Sequence, residues 1–173
     1  MAFPTETFYG LGAAALDGAA VRRVFEVKGR PESRPLLVLV DSVEMVERLA
    51  AALPPAARSL MSRHWPGALT LVIPAAGSVP RELTAGTATI GVRLSSHPVA
   101  TGLVTALGSP VTAPSANVSD GEPPTTADEV RAYFDGKIAL VLDGGPTAGG
   151  PPSTVLDVTV EPARVIRAGA VAV

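Results

Sequence analysis

VFEVKGRPESRPLLVLV, residues 24–40, closes a helix, crosses a basic loop and enters a strand. The apolar spacing of Val21, Val24, Phe25 and Val27 predicts a helix from about Ala19 to Lys28, and Gly29 suits the left-handed residue that ends it. PLLVLV, residues 35–40, is a continuous apolar run of strand length, the pattern of a strand covered on both faces. Between the two, Lys28, Arg30 and Arg34 stand at the mouth of the strand in a loop stiffened by Pro31 and Pro35. Taken alone, this cluster reads as a solvated basic helix end favoured by the helix dipole.

Outward from this segment the same alternation continues. Residues 1–4 read as the tail of a strand, and TETFYGLGAAALDG as a glycine-containing loop. DSVEMVERLAAAL predicts a helix capped by Asp41 or Ser42 and stopped by Pro54. Another helix spans about Pro55 to His64, and ALTLVIP and TATIGVRL are strands. SHPVATGLVTALG carries both helix ends, with Ser96 as N-cap, Pro98 in the first turn and Gly108 as C-cap. SPVTAPSAN reads as a short strand entering a loop, and Thr126 with Glu129 has capping-box spacing. The last third supplies three short strands, IALVLDGG, STVLDVT and RVIRAG. Helix–strand alternation giving way to consecutive strands predicts an α/β (α+β) domain with a mixed sheet. There is no internal repeat and no boundary, so residues 1–173 read as one domain.

Composition narrows the function classes. The 173 residues are 47% hydrophobic and 17% charged, and mean hydropathy is positive, which excludes intrinsic disorder. No apolar run approaches the roughly 18–20 residues that span a bilayer, and MAFPTETFYG lacks the regions of a signal peptide, so a cytoplasmic location is expected. The chain has no cysteine, which removes disulfides and thiolate chemistry. A net charge of −2 gives no global field for nucleic acid, so any anion site is local. The 17 glycines and 17 prolines are scattered between apolar segments and read as turns.

Nucleotide and nucleophile motifs are weak. Gly10, Gly12 and Ala15 formally match a dinucleotide-binding loop, but only a truncated strand precedes them, and Glu32, the acidic residue about twenty positions on, lies in the basic loop and not at a strand end. There is no Walker loop. Two histidines, His64 and His97, do not make a zinc site, and His97 beside a capping Ser96 reads as structural. Ser115 lacks the nucleophile elbow. What remains are polar groups that interrupt apolar runs. Arg93, inside a strand, must reach an edge or meet an anion, and Arg167 repeats that situation. PSANVS crowds donors into a loop that can cradle phosphate. Together with the basic loop these suggest a concave site for a polyanion and a small carboxylate.

PTETFYGLG, VKGRPESRPL, HWPGALTLVI, IGVRLSSHP, VTAPSANVS, PTTADEV, LDGG, STVLDVT and VIRAG occur in an order that resembles the Sua5/YrdC/YciO family, the L-threonylcarbamoyladenylate synthases. The resemblance covers essentially the whole chain. It implies a twisted mixed α/β sheet with flanking helices around a positively lined cavity. It further implies ATP-dependent condensation of L-threonine with bicarbonate or carbon dioxide, release of pyrophosphate, and delivery of the product to a separate tRNA threonylcarbamoyl transferase complex acting on tRNAs that read ANN codons. By the same resemblance the K-x-R and S-x-N motifs are Lys28, Arg30, Ser115 and Asn117, the catalytic set. ATP contacts are Arg30, Arg34, Thr89, Ser115, Pro123 and Arg167, and L-threonine contacts are Thr7, Arg93, Ala113 and Ser153. Mg²⁺ is expected with ATP, held largely by the phosphates because no acidic cluster forms a cage. Weak RNA contact is a further implied partner, and no membrane is.

Three departures from the family pattern stand out. The chain begins three residues before Pro4, so the first strand is expected to be clipped and the form to be the short, single-domain one. Leu39 occupies a position where some members place a threonine-contacting histidine. Pro152 and Pro123 replace a glutamate and a serine of the cavity wall. Two rival readings are a carbamoyl-adenylate domain of the hydrogenase-maturation type and a non-catalytic RNA-binding module. The first normally sits beside zinc-finger modules that this cysteine-free chain lacks. Scarce aromatics argue against the second.

Overall fold

A strand that is apolar on both faces needs cover on both faces, and this chain supplies it from helices placed between strands. The computed structural model describes Met1–Val173. In order the elements are β1 (Ala2–Pro4), β2 (Tyr9–Leu11), α1 (Gly18–Lys28), β3 (Leu37–Leu39), α2 (Val43–Leu49), α3 (Pro55–His64), β4 (Leu69–Pro74), α4 (Arg81–Thr84), β5 (Thr89–Arg93), α5 (Pro98–Leu107), β6 (Val111–Thr112), α6 (Ala127–Phe134), β7 (Thr154–Asp157) and β8 (Arg164–Arg167). Six strands form a mixed sheet in the order β6-β3-β5-β4-β7-β8, while β1 and β2 form a separate pair. β3 runs parallel to β5 and β4 parallel to β7, and the other pairs are antiparallel. This is the mixed α/β sheet with flanking helices that the sequence predicts. No helix is long and apolar enough to cross a membrane.

Local chemistry places the helix ends. Asp17 caps α1 through its side-chain oxygen, and Gly29 takes the left-handed conformation at φ 60°. Ser42 caps α2, and Thr126 and Glu129 form a complete capping box on α6. The buried centre of the sheet, with Val38, Leu39, Leu71, Ile90, Val92 and Leu156, belongs to one continuous apolar core that also takes in Val46, Leu60 and Val104 of the helices.

Four expectations are corrected. The segment TETFYGLG is not all loop: Tyr9–Leu11 is a strand paired antiparallel with β1, Phe3 opposite Gly10. It forms because its other side is also engaged, with Leu11 N–H donating to Pro114 O at 2.7 Å and Ala116 N–H to Tyr9 O at 2.8 Å. Helix α2 ends at Leu49, not Pro54, because Ala50 is extended and bridges Ala75. His97, not Ser96, caps α5, its Nδ1 accepting from Val99 N–H at 3.3 Å. IALVLDGG is no strand. It contributes a single bridge, Val141 to Ala2, closed by Ala2 N–H donating to Leu140 O and Leu142 N–H to Ala2 O, both at 2.9 Å. The helix α4 was not expected, and it packs against α1 and β5.

The hairpin is anchored by close approach. A methyl group built at Gly12 would lie 2.6 Å from Phe3 Cε1 and 2.9 Å from Val111 Cγ1, and Phe3 is fully buried. Gly12→Ala is therefore expected to destabilise the fold by about 1–3 kcal/mol, lowering the thermal midpoint by about 2–4 °C per kcal/mol at this chain size. Gly77→Ala, where nothing lies within 4 Å, serves as the control. Equal midpoints for the two variants in a melting experiment would contradict this account of the hairpin.

Candidate active site

The polar cavity lies where the ends of several elements converge. Its volume is about 250 Å³. The turn between β1 and β2 brings Thr7, β5 brings Arg93, the loop after α1 brings Arg30, the segment after β6 brings Ala113 and Ser115, and the start of β7 and end of β8 bring Ser153 and Arg167. Pro123 and Pro152 also form its wall. A larger cavity of about 520 Å³ lies elsewhere, against β2, α1 and α5, but its lining is almost wholly apolar, with Arg23 and Lys137 its only charged side chains. Size does not make it the chemical site, because it presents no convergent polar groups.

Three arginines face the polar cavity, each held differently. Arg93 is 4% exposed and lies 3.5 Å from Glu6, while its Nε has no hydrogen-bond partner. Burial pushes its guanidinium below the usual range, Glu6 counteracts this, and Arg167 adds to it. Arg167 donates from Nε and Nη2 to Ser153 O at 3.1 and 2.8 Å, and from Nη2 to Ser153 Oγ at 3.0 Å. Ser153 Oγ in turn lies 3.0 Å from Thr70 Oγ1. Arg30 donates to Arg34 O at 3.2 Å and Pro35 O at 3.1 Å, and burial together with Arg34 lowers its pKa. Backbone carbonyls thus aim two of the arginines without neutralising them, so the wall stays cationic.

Hydroxyls and backbone complete the wall. Thr7 is buried and pairs with Thr5 Oγ1 at 3.2 Å. Ala113 N–H donates to Leu37 O at 3.0 Å, fixing the start of the PSAN segment to β3. Ser115 forms an antiparallel bridge to Gly10.

Four residues assigned to the site do not line this cavity. Lys28 is 3% exposed, and its Nζ donates to Ser115 O at 2.5 Å and Asn117 O at 2.6 Å. Ser119 N–H also donates to Lys28 O at 2.8 Å, so this lysine clamps the PSAN loop from beneath and is not a solvated helix end. Asn117 is buried, and its Nδ2 donates to Val118 O and Gly121 O at 2.8 and 2.7 Å. It shapes the same loop, leaving Oδ1 without a partner. Arg34 is more than half exposed and 4.0 Å from Asp120. Thr89 begins β5 while Arg93 ends it, roughly 13 Å away along the strand, and its hydroxyl pairs with Thr87 at 2.9 Å.

Leu39 lies directly opposite Arg93 in the β3–β5 register and is fully buried, so it serves the core. The residue that sequence reasoning missed is Glu6. Its signal was present in the requirement that a strand arginine meet an anion, but the family resemblance assigns a role in TETF to Thr7 alone.

Comparison with known proteins agrees with this architecture. A family model described as Telomere recombination, Sua5_yciO_yrdC, matches residues 1–169. The chain is 48% identical over 169 residues to the threonylcarbamoyl-AMP synthase of Pyrococcus abyssi, covering 98% of this chain and 50% of that protein. It is 43% identical over 172 residues to the threonylcarbamoyl-AMP synthase of Bacillus subtilis, covering 99% and 50%. The crystal structure of P. abyssi Sua5 complexed with L-threonine matches with a TM-score of 0.95 at 48% identity, over 97% of this chain and 49% of that one. The chain therefore spans about half the length of these relatives.

The buried clamp has a pH signature. Burial, with Arg30 second, lowers the Lys28 pKa to about 8, against about 10.4 in an unfolded chain. Between these values the unfolded chain binds more protons, so this group makes folding more favourable as pH rises from about 8 to 10.4, by on the order of 3 kcal/mol at most. Denaturant titrations are expected to show that rise in the natural chain and its loss in Lys28→Met. Parallel pH profiles for the two proteins would show that Lys28 is not buried in this way.

Proposed function

The chain belongs to the Sua5/YciO/YrdC family, and on that premise we propose that it makes L-threonylcarbamoyladenylate from L-threonine, bicarbonate or carbon dioxide, and ATP. The observation that carries this reading is the convergence of Arg30, Arg93 and Arg167, with the hydroxyl-bearing Thr7, Ser115 and Ser153, on one cavity of about 250 Å³. Such a volume lies at or below the small end of ordinary ligand pockets. It suits the polar centre of the reaction, an amino acid meeting a phosphate, with the nucleoside extending towards the rim.

The chemistry asks for no protein nucleophile. The neutral amine of threonine attacks carbon dioxide to give a carbamate. A carbamate oxygen attacks the α-phosphorus of ATP, and pyrophosphate leaves with the electron pair of the broken P–O bond. Arg93 grips the amino acid carboxylate beside Thr7, Ala113 and Ser153. Arg30, Arg167 and the Ser115 segment neutralise charge that grows on the phosphates, and Arg34 and Thr89 fall to the outer reach of the nucleotide. Catalysis is then positioning plus cationic stabilisation. Lys28 and Asn117 act on this reading through the loop they hold.

A Mg²⁺ accompanying ATP would be held mainly by the phosphates and would help neutralise their charge, since no cluster of three or more acidic or histidine side chains stands ready to hold it. Glu6, which pairs with Arg93 of the cavity wall, has one carboxylate oxygen taken by Ser95. On this reading the product passes to a separate transferase that modifies tRNAs reading ANN codons, which supports a cytoplasmic location; the weak RNA contact implied by the resemblance would belong to that hand-over.

With ATP and Mg²⁺, the protein is expected to release pyrophosphate only when L-threonine and bicarbonate are both present. Equal release with carbamoyl phosphate and no threonine would instead support a carbamoyl-adenylate reaction. Arg30→Ala is expected to lower turnover by at least about a hundredfold without changing the melting temperature. Arg48→Ala, on the exposed side of α2, should match the natural chain. Full activity in Arg30→Ala would remove the basic loop from the mechanism.

A further inference from the structure

Arg93 is neutralised by a carboxylate that does not occupy its donors. Glu6 sits in the turn between β1 and β2, with one oxygen accepting the hydroxyl proton of Ser95. Its other oxygen, Oε1, lies 3.5 Å from Arg93 Nη1 yet is buried and accepts no hydrogen bond, and Arg93 Nε is likewise buried and donates none. The side chains of Arg93 and Glu6 are only 5% and 17% exposed. A buried ion pair normally closes its hydrogen bonds, because unsatisfied donors in a low-dielectric interior are costly. Here the charges compensate while the guanidinium fork stays free, and Arg93 is the member of the pair that lines the cavity.

Ser95 explains why the pair does not collapse into a bidentate bridge. It follows Arg93 by two residues, binds Glu6, and accepts from His97 N–H at 3.2 Å. Glu6 is thereby tied to the start of α5, while Arg93 is fixed by β5.

We infer that Glu6, oriented by Ser95, is a positioning residue that keeps Arg93 directed and unspent for the carboxylate of the amino acid substrate. This rests on the reading of the cavity proposed above. Loss of Glu6 removes the countercharge. Loss of Ser95 frees the carboxylate to take up the donors that the substrate needs. Both changes act on the amino acid and leave the Arg30 side of the cavity untouched.

The test measures L-threonine binding by calorimetry, together with separate KM values for threonine and ATP, in Glu6→Gln, Ser95→Ala and Arg93→Lys. Glu6→Gln and Ser95→Ala are each expected to weaken threonine by roughly tenfold, the scale of one hydrogen bond to a charged group, with the KM for ATP unchanged. If Glu6→Gln does not fold, Ser95→Ala, which retains the charge pair, decides alone. Weakening in Arg93→Lys with unaltered threonine affinity in Ser95→Ala overturns the inference while keeping the cavity reading. Equal losses for threonine and ATP also overturn it, because they mark a merely structural role. No threonine binding by the natural chain overturns the cavity reading itself.

Discussion

A guanidinium placed inside a sheet forces the rest of the structure to answer it. Arg93 ends β5 between β3 and β4, where its direct neighbour Leu39 is apolar and fully buried. The one carboxylate on the six strands, Asp157, is engaged by Thr159 and Arg164. The compensation comes from Glu6, on a hairpin that belongs to a different sheet. That demand explains why the β1–β2 turn must sit over the strand ends, and the turn in that place closes one side of the cavity. Much of the remaining wall follows from holding the hairpin there, through the bonds of β2 to the PSAN segment.

The cavity is cationic without the protein being so. Net charge is −2, and most of the other arginines are spent in exposed ion pairs such as Arg58–Glu47 and Arg131–Asp128. Arg30 and Arg167 differ because carbonyl oxygens orient them. A carbonyl directs a guanidinium without cancelling its charge, so the field is concentrated where a phosphate or carboxylate would arrive and is absent elsewhere. This is selectivity by local geometry, since a protein without a global field does not gather polyanions indiscriminately.

What could be read from the sequence was what local chemistry decides. Gly29, Ser42 and the Thr126–Glu129 pair mark helix ends because caps are satisfied within a few residues. PLLVLV announced a covered strand because its apolar run needs no partner to be recognised. The failures have the opposite character. β2 is a strand only because Phe3 fills the space left by Gly12 and residues near 115 bond to its far side. Lys28 reads as a free helix end, and only a loop some ninety residues later turns it into a buried clamp. Arg93 advertised its need for an anion, but Glu6 lies 87 residues before it in the chain, and no periodicity links them.

The hairpin's attachments also constrain the order in which the molecule is made. Ala2 is bonded on both sides by residues 140 and 142, and Gly12 N–H by Met1 O beside contacts to Val111. Closing such wide loops costs entropy that local contacts do not repay. The β1–β2 hairpin can therefore form locally, but its docking onto residues 140–142 waits on long-range closure, and the central sheet strands β3, β4 and β5 can meet first. The cavity is in this sense a late product of folding: Thr7 and Ser153, 146 residues apart, come to one wall only when the hairpin docks beside strands already paired.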